Sequence, residues 1–404
     1  MPDIHESYLE DILAAQTLDL RQTKYRFMDQ KCTPDILYLI VECILALPEE
    51  ARKNFARTDI EKSEAFRANL QFYFDKPDPT VPAVANEIDK VTGQPLKTLS
   101  YAGLLTEQKR GNRNYYSVTN ESALQFLAAN ERNCFKFLVT LNTAVLRESG
   151  QLAEFERFRR GPWTADDYDR LRTRFKMFFL ANSKLGSKGS VDGGDTEFRR
   201  IFPKILNPMA VYWGVPGTIG GRVGKEAFAY QELMYNRKNV RDKGKSKKTP
   251  RQEALALQQT DAIRAQKYLE RENTKAKQRV LRFHERTSEV HDSLASGEAT
   301  QAHHIFPVGQ FPELQSIPEN IIALTPSQHF QRAHPSNNTQ RVDKEYQRTC
   351  LLSKLSSVKK AVAAGEIFYS KEQFVWVLRE GLGLRALSAE SSFDEIRLAI
   401  MNYA

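Results

Sequence analysis

Apolar residues first gather into one long run at positions 36–47, with the letters ILYLIVECILAL. Pro34 stands just before the run, where it suits the first turn of a helix, and Pro48 ends the run. Glu42 interrupts the run, which at 12 residues is too short to span a bilayer. The pattern therefore predicts a buried helix in a globular protein and no membrane partner.

The pattern between residues 82 and 118 changes from helical to β-like. The letters PAVANEIDKV and QPLKTLSYAGLL predict two short helices on either side of a turn at Thr92-Gly93, and LTEQKRGNRNYYSVTN predicts a hairpin. Helix, turn, helix and hairpin is the order of a winged-helix domain, whose second helix enters the major groove while the hairpin contacts phosphates. The alternative is a packing module with an ordinary basic hairpin. The winged-helix interpretation predicts DNA contacts from Lys97, Lys109, Arg110 and Arg113.

Charge is concentrated in one segment of the chain. The 404 residues carry a net charge of +9, and the segment 237–251 holds eight basic residues and one acidic residue. That segment is +7, so the rest of the chain carries only 9 − 7 = +2. Such a focused basic tract predicts a polyanion partner, with a solvated loop as the alternative. Its predicted DNA-contacting residues are Arg237, Lys238, Arg241, Lys243, Lys245, Lys247 and Lys248.

The four cysteines show no metal-clip spacing and are too few to staple a chain of this length. Reduced thiols in a cytoplasmic protein are therefore predicted. The acidic N-terminus, MPDIHESYLED, lacks the apolar region of a secretion signal, which favours the same location. The glycine-rich stretches 183–194 and 214–224 lack the spacing of a phosphate-binding loop, so no nucleotide cofactor is predicted.

Histidines cluster in one short segment near the C-terminus. Four of the seven lie within 32 residues, at His303, His304, His329 and His334. The letters AHHIF and IIAL predict two short strands, and Thr325 with the following PSQ is a capping box that predicts a helix. That helix must end near His334, because Pro335 follows. Side chains alternate along a strand, so one histidine of the pair can bind a metal while the other faces substrate as a base.

This segment resembles the HNH, or ββα-metal, nucleases. Their motif has an acidic residue or histidine followed by histidine, then an asparagine opening the second strand, then a histidine or asparagine nine residues later on the helix. His303-His304, Asn320 and His329 stand at these positions. The resemblance implies that His304 is the general base and that Asn320 orients the catalytic loop and the base. It also implies that His303 and His329 hold one divalent metal ion.

The resemblance further implies the identity of the metal ion and a third ligand. Magnesium or manganese would act as a Lewis acid, and an all-imidazole site could also bind zinc, nickel or cobalt. His334 is a third metal ligand on this interpretation, although the family usually places that ligand one residue earlier, where this chain has Ala333. The alternative is a structural zinc module without catalysis, which more often uses cysteine ligands.

A DNA-recognition domain joined to a nuclease module resembles a type II restriction endonuclease of the HNH kind. The stretches RFMDQKCTPD, QPLKTLSYAGLL and LMYNRKNVRD also resemble parts of such enzymes. The resemblance implies sequence-specific hydrolysis of double-stranded DNA that leaves 5′-phosphate and 3′-hydroxyl ends. Since one module cuts one strand, a homodimer is predicted. A candidate contact consists of Phe374, Val375, Trp376, Val377 and Leu378, but a core helix is the favoured interpretation of these residues.

Two other functions stay open on the sequence. One is a modification-dependent HNH endonuclease that cuts only methylated DNA. The other is a non-enzymatic winged-helix regulator with a structural metal site. Cleavage of plain and of methylated plasmid in the presence of metal separates all three functions.

The predicted fold class is mainly α with small β elements, an α+β arrangement. The charged stretch at residues 252–296 contains neither glycine nor proline, which predicts a long helix. Four segments follow from these patterns. They are a helical, winged-helix-like DNA-recognition domain at 1–150, a mixed central region with the basic tract at 151–250, a long charged helix at 251–299, and an HNH nuclease domain with C-terminal helices at 300–404.

Overall fold

The computed structural model describes residues 4–74, 79, 85–185, 193–235, 251–333 and 343–403, with side chains in these ranges except at 71–73, 85–86 and 251–265. The described chain is mostly helical and contains small antiparallel sheets. The predicted class, mainly α with small β elements, is therefore confirmed. Contacts divide the chain into an N-terminal unit, residues 9–259, and a C-terminal unit, residues 1–8 with 260–404.

The N-terminal unit is built from helices around one small sheet. Its helices are α1 (Ile4–Ala14, which begins in the C-terminal unit), α2 (Leu20–Thr23), α3 (Pro34–Ala46), α4 (Glu49–Arg52), α5 (Arg57–Lys62), α6 (Glu64–Phe74), α7 (Ala85–Tyr101), α8 (Glu121–Leu127), α9 (Glu131–Glu148), α10 (Leu152–Arg159), α11 (Ala165–Asn182) and α12 (Asp195–Trp213). Its strands are β1 (Phe55–Ala56), β2 (Leu105–Arg110), β3 (Arg113–Val118), β4 (Thr218–Ile219) and β5 (Arg222–Val223).

Helix α3 is the centre of this unit. Pro34 stands in its first turn, and its side chains from 34 to 41 are buried on every side of the helix. A helix that is apolar all round has to be covered all round, and α6, α7, α8 and α9 pack against it. The buried helix predicted from the run at 36–47 is confirmed. No helix in the described ranges is long and apolar enough to cross a membrane.

Helix α7 corrects the predicted break between two helices. The turn expected at Thr92-Gly93 is wrong, because α7 runs through both residues without interruption. The buried stripe of the helix continues on both sides of the glycine and consists of Ile88, Val91, Leu96 and Leu99. A glycine inside a helix costs only about 1 kcal/mol relative to alanine, so burial of a continuous apolar face outweighs the local preference for a turn.

The strands β2 and β3 form the predicted hairpin. Arg110 pairs with Arg113, so Gly111 and Asn112 make a two-residue turn. Gly111 has a φ of +61°, a conformation that glycine adopts at no steric cost. Strand β3 also pairs with β1, which gives the sheet order β1-β3-β2. The hairpin therefore has one edge covered and carries its basic tip into solvent.

Contacts group the chain differently from the four predicted segments. Helix α9 packs against α12, so residues on both sides of position 150 lie in one unit. The long charged helix, α13 (Arg251–Phe283), ends well before position 299. Glu285 and Arg286 adopt φ angles of 50° and 56°, and the Arg286 amide donates to the Leu281 carbonyl. This left-handed turn reverses the chain, which the absence of glycine and proline did not reveal.

The C-terminal unit places a two-stranded sheet among helices. After α13 its elements are β6 (Gln301–His304), β7 (Ile321–Leu324), α14 (Pro326–Gln328), a π-helical turn (His329–Ala333), α15 (Lys344–Ala363), α16 (Lys371–Leu382) and α17 (Phe393–Asn402). Strand β7 is buried on both faces. Ile321 and Ala323 pack with Ala276 and Val280 of α13, whereas the two alternate residues of β7 join the core of the C-terminal helices. This explains why IIAL shows no polar alternation.

Helix α16 carries the residues considered for a dimer contact. Phe374, Val375, Val377 and Leu378 are buried in the core of the C-terminal unit, and Trp376 packs against that core. The favoured interpretation of these residues as a core helix is therefore confirmed, and they do not form a dimer contact. The dimer itself remains a prediction.

The four cysteines are free and buried. Burial raises the pKa of the Cys32 thiol to about 12, so this thiol stays protonated at neutral pH. Cys32 lies next to the Thr98 hydroxyl, with 3.2 Å between the sulfur and oxygen atoms. These cysteines act as small core residues, as the absence of metal-clip spacing predicts.

Candidate active site

The histidine segment forms the two strands that its sequence predicts. Strands β6 and β7 are antiparallel, with His303 opposite Ile322 and His304 opposite Ile321. The two histidines therefore project to opposite faces of the sheet. Ala302 shares the face of His304 and packs with the α13 cluster, so His304 lies on the side of the sheet that α13 covers.

A capping box starts the short helix after β7, as predicted. The Thr325 hydroxyl accepts from the Gln328 amide at 3.2 Å, and the Gln328 side chain accepts from the Thr325 amide at 3.0 Å. The Gln328 side-chain amide also donates to the Val290 carbonyl at 2.8 Å. Gln328 is fully buried, so these bonds anchor the helix start firmly. His329 is the next residue, so these bonds also fix the position of its backbone.

The rings of His303 and His329 lie next to each other in a T-shaped arrangement. Their centroids are 5.4 Å apart and their planes meet at 74°. A metal ion lies about 2.1 Å from an imidazole nitrogen, so this spacing is suited to one ion between the two rings. Among the described residues no three histidine, cysteine or acidic side chains are grouped to hold a metal ion. His334, the predicted third ligand, lies outside the described residues.

His304 lies on the opposite face and is held by a backbone carbonyl. Its Nε2 atom is 2.9 Å from the carbonyl oxygen of Gln315. A carbonyl oxygen can only accept, so Nε2 carries the proton and Nδ1 keeps its lone pair. Burial and the nearby Lys277 ammonium lower the pKa of His304 to about 4. The hydrogen bond to the Gln315 carbonyl acts in the opposite direction but is the smaller effect. The ring is therefore neutral at neutral pH, with Nδ1 ready to accept a proton.

Asn320 closes the loop between the two strands. Its buried side-chain amide donates to the carbonyls of Phe306 at 3.1 Å and Leu314 at 3.2 Å, and its oxygen accepts from the Phe306 amide at 2.9 Å. These three bonds are to backbone atoms of the loop and not to His304. It holds the loop at Leu314, and the next residue, Gln315, holds the imidazole. Asn320 is thus a positioning residue rather than a catalytic one.

A buried ion pair lies beneath β7 and was not predicted from the sequence. Lys354 Nζ is 2.7 Å from the Glu289 carboxylate, and both side chains are fully buried. Glu289 also accepts from the Ala323 amide at 2.9 Å, which ties the pair to β7. Burial alone would raise the pKa of Glu289, but Lys354 and His284 bring it down to about 2. Nothing in the local pattern marks either residue as buried, because both are ordinarily exposed types.

Lys277 was also missed by the sequence analysis. It lies on α13 beside Ala276, whose side chain packs on the face of the sheet that carries His304. Its pKa is lowered by burial, and its positive charge acts on His304. In the sequence, Lys277 stands at helical spacing from the apolar residues Val280 and Leu281, next to Ala276. This spacing indicates that Lys277 lies near the sheet only once α13 is known to cover the sheet.

The predicted DNA-contacting residues of the N-terminal unit are exposed on α7 and on the hairpin. They are Lys97, Lys109, Arg110 and Arg113. Lys97 and Arg113 line a common cavity of about 780 Å³ between α7 and the hairpin. Arg110 lies over the Tyr115 ring, with 5.2 Å between the guanidinium carbon and the ring centre. The structure thus brings Lys97 of α7 and Arg113 of the hairpin to one surface, which is what contact of both elements with one DNA duplex would require.

The predicted contacts in the basic tract lie outside the described residues: Arg237, Lys238, Arg241, Lys243, Lys245, Lys247 and Lys248. Tyr235 precedes the tract and is described. Its amide donates to the Asp35 carboxylate at 2.9 Å, and its hydroxyl donates to Glu87 of α7 at 2.6 Å. Lys31 contacts the same Glu87 carboxylate at 2.6 Å. Lys31 and Asp35 of RFMDQKCTPD therefore meet Tyr235 of LMYNRKNVRD near the start of α7.

Comparison with known proteins adds no relative. No protein-family model, no curated protein and no solved structure matches the chain. What the two units can do therefore follows from their own chemistry. The C-terminal unit offers two neighbouring imidazoles and a third, neutral imidazole held by a carbonyl, and the N-terminal unit offers a basic groove.

Proposed function

We propose that this chain is a metal-dependent DNA endonuclease of the HNH type that cuts a specific double-stranded site. The observation that carries the proposal is the arrangement of three histidines. The rings of His303, on a strand, and His329, on the π-helical turn, lie next to each other, whereas His304 points to the other face of the sheet with Nε2 bonded to a carbonyl. Two metal ligands and one oriented base are the groups that hydrolysis of a phosphodiester needs.

The N-terminal unit supports DNA recognition by a winged-helix-like domain. Helix α3, strand β1, helices α5 to α7 and strands β2 and β3 follow one another, and the sheet has the order β1-β3-β2. In this arrangement α7 would enter the major groove and the hairpin would contact phosphates. Lys97 is exposed on α7, and Lys109 is exposed on the hairpin. Both side chains are free to reach the DNA backbone.

The proposed reaction places the proton transfer at His304. Nδ1 of His304 takes a proton from a water molecule, whose oxygen attacks phosphorus in line with the leaving 3′ oxygen. The P–O3′ bond breaks and a solvent water protonates the leaving 3′ oxygen, which leaves a 5′-phosphate and a 3′-hydroxyl. A divalent ion would be held by His303 and His329, with His334 as a third ligand, and would supply Lewis acidity that offsets charge at the phosphate. Magnesium or manganese suits this role, and the imidazoles also suit zinc, nickel or cobalt.

Cleavage of both strands requires two such sites. The chain has one histidine cluster, so we infer that a homodimer acts on a symmetric DNA site in the cytoplasm. The apolar face of α16 is not its contact surface, because that face is buried within its own unit. Sedimentation of the protein with and without DNA tests the dimer, and a 1:1 complex that only nicks DNA would contradict it.

Cleavage of supercoiled plasmid by the purified protein with magnesium or manganese tests the proposal. We expect His304→Ala to lower the rate by about a hundred-fold to ten-thousand-fold, the usual loss for a general base. The matched control is His291→Ala, because His291 is an exposed histidine to which the proposal gives no role. Both variants should bind DNA like the wild type. Wild-type cleavage by His304→Ala would contradict the assignment, and binding without any metal-dependent cleavage would favour the non-enzymatic regulator.

A further inference from the structure

The cavity between α7 and the hairpin is larger than contact with phosphates requires. It measures about 780 Å³ and is lined by residues of the segment 25–29, of α5, of α7 and of both hairpin strands. Sites for small molecules and single nucleotides have volumes of about 300–1,000 Å³. A phosphate oxygen needs only an exposed cation, so a cavity of this size next to α7 is suited to a nucleobase.

The basic side chains of the cavity fall into two groups. Arg26 is paired with Asp29, and Arg57 with Asp89. The other basic side chains of the lining, Lys90, Lys97, Arg113 and Lys184, form no ion pair with any acidic side chain among the described residues. These four cations therefore leave the cavity attractive to a nucleic acid.

One carboxylate, Glu107, stands in this basic cavity and is held rigidly. The hydroxyl of Tyr25 donates to Glu107 Oε2 at 3.0 Å, and the hydroxyl of Tyr116 donates to Oε1 at 3.4 Å. The side-chain amide of Asn114 also donates to Oε1. A carboxylate accepts about four hydrogen bonds, so one acceptor position is left for a ligand. The three donors hold Glu107 in place before any ligand arrives.

A carboxylate selects among bases because it can only accept. In the major groove cytosine offers the N4 amino donor, whereas thymine offers an acceptor and guanine offers two acceptors. Adenine has an amino donor beside the N7 acceptor, which would lie against the negative charge. Glu107 also repels phosphate, so a DNA-binding surface gains nothing from it unless it meets a donor.

We propose that this cavity reads a cytosine of the target DNA, with Glu107 accepting a hydrogen bond from the N4 amino group. Lys97 and Arg113 hold the phosphates on either side of that base. The inference rests on the proposed DNA-binding function, but it does not depend on cleavage. It makes Glu107 a specificity-determining residue and the two basic residues determinants of affinity.

Selection from a randomised duplex library tests the proposal with the full-length protein in EDTA, where no cleavage occurs. We expect the wild type to prefer cytosine at one position by at least about five-fold, and Glu107→Gln to lose that preference. The control is Lys109→Ala on the same strand, outside the cavity lining, which should weaken binding to all sequences alike. Replacing the selected cytosine by N4-methylcytosine should weaken wild-type binding but not binding by Glu107→Gln.

Two results would overturn the proposal: no cytosine preference in the wild type, or the same preference in Glu107→Gln. If Glu107→Gln does not fold, Tyr25→Phe removes one donor to the carboxylate while keeping the ring stacked on Tyr101 at 4.9 Å. A weakened cytosine preference in that variant supports the proposal, and an unchanged one contradicts it. Cytosine-selective binding without metal-dependent plasmid cleavage would contradict the proposed nuclease function but would still support the inference about Glu107.

Discussion

The histidine site and the cavity beside α7 differ in how their groups are held. In the C-terminal unit, His304 is bonded to a carbonyl of a loop that the buried Asn320 closes. In the N-terminal unit, Lys97 and Arg113 are long exposed side chains, whereas Glu107 is held by several donors. Proton transfer requires fixed geometry, whereas attraction to a polyanion requires charge alone. The comparison separates residues that should affect rate from residues that should affect affinity.

The largest expected effect on stability is in the C-terminal unit. Lys354→Ala leaves the Glu289 carboxylate buried without its partner, which should lower the free energy of unfolding by about 3–5 kcal/mol. The control is Lys360→Ala on the same helix, because Lys360 is exposed. Fluorescence distinguishes the units, since Trp376 lies in the C-terminal unit and Trp163 and Trp213 lie in the N-terminal unit. Equal stability of both variants would contradict a role for the ion pair.

The next effect concerns the metal requirement of the histidine site. His329→Ala removes one of two neighbouring imidazoles, so the manganese concentration for half-maximal cleavage should rise by at least about ten-fold. DNA affinity measured in EDTA should stay unchanged, because the N-terminal unit supplies it. An unchanged metal requirement in His329→Ala, with His291→Ala as the control, would show that His329 is not a ligand.

Acid should weaken the C-terminal unit through Glu289. Its pKa is about 2 in the folded protein and about 4.5 in an unfolded chain. Between these values the unfolded state binds more protons, so the stabilisation is complete above pH 4.5 and is lost as pH falls toward 2. Denaturant unfolding of a Trp163→Phe, Trp213→Phe variant follows Trp376 across this range. A free energy of unfolding that stays constant from pH 5 to pH 3 would contradict the prediction.

The smallest effect is expected from the basic tract. Replacing Lys243, Lys245, Lys247 and Lys248 with serine should weaken specific and non-specific binding alike. Each lost phosphate contact should lower the slope of log affinity against log salt by about one. The cleavage rate at saturating DNA should not change, because the histidine site is untouched. An unaltered salt slope would identify the tract as a solvated loop.

Elements whose signals are local were predictable from the sequence. The capping box at Thr325 and the alternation of His303 and His304 depend on neighbouring residues, and the structure has both. The turn predicted at Gly93 does not form, because the apolar face of α7 is buried by helices distant in the sequence. The end of α13 was missed for a similar reason: Glu285 and Arg286 adopt left-handed conformations that their residue types do not signal.

The sequence by itself determined the histidine pair on a strand, the helix start that presents His329, the hairpin with its basic tip and the buried helix α3. Each depends on hydrogen bonds or periodicity within a few residues. Only the tertiary structure decided that Gln315 holds His304, that Lys354 neutralises Glu289 and that Glu107 stands in a basic cavity. These contacts join residues far apart in the chain, and their energies come from burial and charge, which no local pattern records.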